Sequence, residues 1–139
     1  LVLAALAATL RLWGEPERAA RELPAFALLL RPEREIRAVA ETLAAALPAL
    51  LGPAWVPDVE SVSSQIGSGA QPVERLPSAA VAIAPADGSE RALEALARAL
   101  QQTPVPVLGR IRAGALLLDC RTLADPEHLL EQFRQVRLP

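Results

Sequence analysis

No lysine occurs among the 139 residues, nor any methionine or tyrosine, and cysteine and histidine occur once each. Without lysine the chain has no side-chain amine to form a Schiff base with a carbonyl cofactor. Cys120 cannot form an internal disulfide. With His128 also alone, no Cys/His cluster can hold a metal, and no metal site is expected. Such cysteine usage suits a reducing compartment, and a cytoplasmic location is expected. Aromatic residues make up 3% of the chain, so the core must be built from Leu, Ala, Val and Ile, with Trp13, Trp55, Phe26 and Phe133 as its large rings. Long apolar runs are missing too. LVLAALAATL stops at Arg11, too short to cross a bilayer and without the charged start of a signal peptide, so it reads as a helix face. A chain with no methionine that opens in mid-helix is expected to be part of a longer protein. Charge of one sign is also lacking: the fourteen basic residues, all arginine, are scattered among sixteen acids for a net charge of −2, which gives no basic stripe for nucleic acid.

The 52% hydrophobic content and the length suffice for one real core. Leu3, Leu6, Leu10 and Trp13 recur at helical spacing up to Gly14. A short helix is expected over 16–22, whereas AFALLL after Pro24 has no clear assignment. From Pro32 a longer helix should run to about Leu47, with Ile36, Val39, Ala40, Leu43 and Leu47 on one face, and end at Pro48. The alternation from Asp58 to Ile66 predicts a strand, and Ala79 to Ala84 a second one. Asp87 with Glu90 resembles a capping box ahead of Leu93, Leu96, Ala97 and Leu100. A β-hairpin follows, and Asp125-Pro126 starts a last helix. The order is αββαββα, an α+β fold with a small antiparallel sheet covered by helices.

No local constellation in this chain makes an active site. His128, three residues past a helix cap, reads as a solvated helix residue, Cys120 as core, and the serines near position 64 have no triad partner. The polar stretch SQIGSGAQPVERLPS, 64–78, stands apart. Gly67 and Gly69 permit close backbone approach, and Ser64, Gln65, Ser68 and Arg75 offer donors, so the loop can cradle an anion as well as simply connect two strands. In the hairpin, a two-residue turn at Ala113-Gly114, or a four-residue one from Arg112 to Ala115, puts Val107, Gly109 and Ile111 on one face with Leu116, Leu118 and Cys120. Arg110, Asp119 and Arg121 then share the other face with Leu108 and Leu117, the arginines flanking the carboxylate. A three-residue turn would bury Asp119 among apolar residues and is rejected.

Three stretches together, SQIGSGAQPVERLPS, PVPVLGRIRAGALLLDCRTL and LAALAATLRLW, resemble the C-terminal part of the bacterial selenocysteine synthase family, the L-seryl-tRNA(Sec) selenium transferases. The resemblance implies the small domain of a fold-type-I pyridoxal-phosphate enzyme that makes selenocysteinyl-tRNA(Sec) from seryl-tRNA(Sec) and selenophosphate. Residues 1–31 would be linking helices from the large domain and 32–139 the C-terminal small domain. The cofactor lysine and the tRNA-binding domain would lie upstream, so this piece alone would bind no pyridoxal phosphate and be inactive, while closing the active site in its parent. Gln65, Gly67, Ser68, Gly69, Arg75 and Arg110 would face the cofactor or substrate. The parent would be a homo-oligomer, and the fragment could self-associate through residues 1–13. Two other readings fit similar residues: the small domain of a cysteine/methionine-type lyase of the same fold type, or a stand-alone α+β interaction module.

Overall fold

Apolar residues three and four apart form one stripe along the longest helix, and that stripe fixes where the sheet must lie. The computed structural model describes residues 1–65 and 75–137, which divide into two compact units, Leu1–Pro32 and Glu33–Pro139. The first unit holds α1 (Val2–Trp13), α2 (Pro16–Glu22) and α3 (Pro24–Leu29). Proline opens both α2 and α3, where its missing N–H would have had no helical partner. AFALLL, unassigned from its pattern, thus supplies most of α3. Trp13 and Phe26 meet edge to face with ring centres 5.4 Å apart. α1 buries none of its residues.

The second unit runs α4 (Glu33–Leu51), β1 (Trp55–Gln65), β2 (Arg75–Pro85), α5 (Glu90–Gln101), β3 (Arg110–Arg112), β4 (Ala115–Asp119), a 3-10 turn (Cys120–Thr122) and α6 (Pro126–Gln135). This is the αββαββα order, and the four strands form one antiparallel sheet in the order β1-β2-β4-β3. One sheet face, with Trp55, Ala79, Val81, Ile83, Leu116 and Leu118, packs with the helix stripes Ile36, Ala40, Leu43 and Leu47 of α4, Leu93, Leu96 and Leu100 of α5, and Leu130 and Phe133 of α6. Each such leucine contributes about 1.5–3 kcal/mol by leaving water. Among the described residues no helix is long and apolar enough to cross a membrane.

Four local expectations are corrected. α4 does not stop at Pro48 but runs through it to Leu51. The lost hydrogen bond there is offset by Leu47, which is buried, and by Leu50 and Leu51, which pack on the same core. β1 starts at Trp55 rather than Asp58, because Pro57 lies on an edge strand, where proline is tolerated. The cap of α5 is Ser89, whose Oγ accepts from Ala92 N at 3.2 Å, while Asp87 accepts from Ser89 N at 2.9 Å. Finally, β4 ends at Asp119, so Cys120 and Arg121 fall in the 3-10 turn and both are buried; Arg121 does not share the exposed face with Arg110.

The hairpin itself has the expected register: Arg110 pairs with Leu117, Ile111 with Leu116 and Arg112 with Ala115. Ala113 and Gly114 turn at φ 50° and 78°, the two positive values that a tight two-residue hairpin needs. Just before β3, Gly109 lies against β4. A Cβ there would sit 2.8 Å from both Leu116 Cδ1 and Leu118 Cδ2 and 2.9 Å from the Leu117 carbonyl oxygen. Backbone cannot yield as a side-chain tip can. Gly109→Ala is therefore expected to destabilise the unit by about 1–3 kcal/mol, read as a lower urea midpoint; an unchanged midpoint would show that β3 can move away from β4 without loss.

Candidate functional site

β1 and β2 pair along eleven residues each, from Trp55↔Pro85 to Gln65↔Arg75. β4 pairs only with Ala80–Ile83 of β2, so the outer half of the β1–β2 ribbon extends beyond the rest of the sheet. Small and hydroxylated residues alternate along it, with Ser61, Ser63 and Gln65 on one face of β1 and Val62 and Ser64 on the other. The connection expected over 64–78 is thus shorter than its composition suggested. Pro77 made β2 look like loop, but at that point β2 has no β4 neighbour, and proline fits there. Gln65 and Arg75 are a directly opposed pair at the end of the ribbon. Gly67, Ser68 and Gly69 lie outside the described residues.

The ribbon borders a concavity of about 500 Å³ whose polar lining includes Ser61, Ser63, Gln65, Arg75, Arg110 and Arg112. Residues from both sides of the ribbon line it, as the strong twist of a two-stranded arm allows. The structure therefore brings together three residues singled out from the sequence, Gln65, Arg75 and Arg110, although Gln65 and Arg110 are far apart in the chain. Arg112, Ser61 and Ser63 were missed. Their signal was present in the period-two run Ser61, Ser63, Gln65 and in the Arg-x-Arg of β3, but it needed the hairpin register to be extended outward. Among the described residues of the lining one is a carboxylate, Glu33, and it pairs with Arg37 at 3.4 Å. Arg37 also donates to Ser61 Oγ, tying α4 to β1. Among the described residues none of Arg75, Arg110 and Arg112 forms a salt bridge. Three like charges gathered around one hollow repel each other, and such an arrangement favours an anion between them.

Asp119, at the end of β4, organises the same region. Its Oδ2 accepts from Ser64 Oγ at 2.6 Å, and its Oδ1 accepts from Ser78 Oγ at 2.7 Å and from Arg121 N at 3.0 Å. Burial pushes this carboxyl up. The two hydroxyls, the Arg121 N–H and the charge of Arg110 outweigh burial and hold it below the ordinary carboxylate value. The buried Arg121 guanidinium donates to the Pro77 carbonyl, a second tie from β4's end to β2. Cys120 and His128 line a different, largely apolar cavity of about 420 Å³; Cys120 is buried in the core and His128 is exposed on α6.

The L-seryl-tRNA selenium transferase (SelA) family model matches residues 1–124. The chain belongs to this family. It is 49% identical over 133 residues to the L-seryl-tRNA(Sec) selenium transferases of Salmonella heidelberg, Salmonella enteritidis PT4 and Salmonella typhimurium, covering 96% of this chain and 29% of each relative. The chain thus spans under a third of the length of the curated relatives it matches. Family membership sets aside the lyase and the unrelated interaction module.

The acid limb of stability follows from Asp119. Because folding lowers its pKa, the folded carboxyl binds a proton less tightly than the unfolded one. Its contribution is present above the unfolded value near 3.8 and is lost as pH falls through the lower folded value. Asp119→Asn in this chain is expected to flatten the fall of the urea midpoint below about pH 4. A variant whose midpoint falls as steeply as that of the parent chain would contradict this.

Proposed function

We propose that this chain is the small C-terminal domain of a pyridoxal-phosphate-dependent selenium transferase that converts seryl-tRNA(Sec) to selenocysteinyl-tRNA(Sec) with selenophosphate, and that its arginine-lined concavity faces the reaction cleft. The observation that carries the reading is the convergence of Gln65, Arg75, Arg110 and Arg112 on one hollow. Both substrates bring phosphate: selenophosphate as the selenium donor, tRNA through its backbone. Guanidinium groups bind such oxygens through two parallel hydrogen bonds, and the Gln65 amide and serine hydroxyls add neutral donors.

The same residues do not suit the cofactor itself. Among the described residues the lining has no lysine to attach it and no aromatic ring to stack on a pyridine. Pyridoxal phosphate supplies the electron sink for replacing the serine hydroxyl by selenium, and in this reading it is held by other parts of the protein. The work of this domain is to close the site and hold an anionic substrate against it. By itself the piece is inactive. The exposed α1 stripe of Leu3, Leu6 and Leu10 is the face through which we read association, either with the remainder of the protein or with a second copy in a homo-oligomer. An enzyme acting on an aminoacyl-tRNA belongs in the cytoplasm, where translation takes place.

In the complete enzyme, Arg75→Ala is expected to raise the KM for selenophosphate or for seryl-tRNA(Sec) by about tenfold or more. Stability should change little, because Arg75 is exposed. Steady-state kinetics with each substrate varied in turn identifies the anion. Unchanged KM for both would contradict an anion site here.

A further inference from the structure

β1 and β4 are not neighbours, because β2 lies between them. Adjacent strands are about 4.8 Å apart, so side chains two strands apart in a flat sheet are too distant for a direct hydrogen bond. Yet Ser64 on β1 donates to Asp119 on β4 at 2.6 Å. The register shows how far this contact reaches. Asp119 pairs with Ala80, whereas Ser64 pairs with Leu76, four residues further out along β2. The outer ribbon must therefore curl over the end of β4, and Asp119 is where it is fastened. One carboxylate oxygen takes Ser64 of β1; the other takes Ser78 of β2 and the N–H that starts the 3-10 turn.

We infer that Asp119 is a positioning residue for the arginine-lined concavity: it fastens the free end of the β1–β2 ribbon to β4, which keeps Gln65 and Arg75 within reach of Arg110. Ser64 immediately precedes Gln65, so the fastening acts next to the lining. The charge of Arg110 acts on the same carboxylate, and among the described residues the two form no salt bridge. Arg121, donating to Pro77, supports the fastening from β2. Glu60 stands in the same cross-strand row, opposite Ala80. Asp119 itself lies outside the lining and touches no anion. This assignment rests on the reading of the concavity as an anion site, and its test separates the two.

The complete enzyme is compared with Asp119→Asn, Ser64→Ala and Ser64→Thr. Hydrogen exchange reads the ribbon, and the KM for selenophosphate and for seryl-tRNA(Sec), beside kcat, reads the site. Ser64→Ala removes only the β1 tie and keeps the test open if Asp119→Asn folds poorly. Ser64→Ala and Asp119→Asn are expected to make amides in 59–65 and 75–79 exchange about tenfold faster while those of α4 and α5 keep their rates. The KM that Arg75→Ala raises should rise several-fold in both, with kcat changed by less than about twofold. Ser64→Thr, which keeps the hydroxyl, should match the parent enzyme. Ribbon exchange unchanged in the folded variants overturns the inference, as does faster exchange without the KM rise that Arg75→Ala produces. If Arg75→Ala leaves both KM values unchanged while the ribbon loosens, the fastening stands and the anion-site reading falls.

Discussion

One half-buried carboxylate, Asp119, determines the shape of the polar end of this domain. The helices and the apolar sheet face would form a stable layer without it, because Leu43, Leu96, Leu116 and Phe133 are held by burial alone. The outer half of the β1–β2 ribbon has no such support. It carries serines, a glutamine and an arginine, and it leaves the sheet where β4 ends. A two-stranded ribbon in water is at best marginally stable. Hydrogen bonds to a charged acceptor are stronger than neutral ones, and Asp119 supplies several at the point where apolar packing runs out.

The placement of charge follows from that frame. Three guanidiniums beside one hollow repel one another, so the domain must keep them apart from the core and hold them on elements that the core orients. Arg110 and Arg112 sit on β3, whose register is fixed by the turn at Ala113-Gly114 and by the close approach of Gly109 to β4. Arg75 sits opposite Gln65 on the ribbon. Neither element alone makes the hollow. The hollow arises from their juxtaposition, and its clustered positive charge favours an anion.

Much of the fold was legible in the sequence, for identifiable reasons. Period-3.6 stripes such as Ile36, Ala40, Leu43 and Leu47 mark helices whose buried face is continuous. The hairpin register was legible because a three-residue turn would have buried Asp119 among apolar residues. Its consequence for Arg121 was not, since the chain leaves the strand one residue earlier than the apolar pattern suggests. Pro48 and Pro77 misled for one shared reason: proline punctuates local structure only where no compensating contact exists, and both are carried by packing or strand position that sequence periodicity does not encode. Gln65, Arg75 and Arg110 were chosen by chemistry and resemblance; that they meet was beyond the sequence, because the fastening joins residues 55 positions apart, Ser64 and Asp119.

The most direct measurement is a titration of the 139-residue chain, labelled with nitrogen-15, with inorganic phosphate and pyrophosphate, following the side-chain Nε–Hε signals of its arginines. The account requires Arg75, Arg110 and Arg112 to shift together along one saturable curve, with Arg98 and Arg134, on helices α5 and α6, unaffected. Shifts that never saturate, or that spread equally over all the exposed arginines, would contradict it.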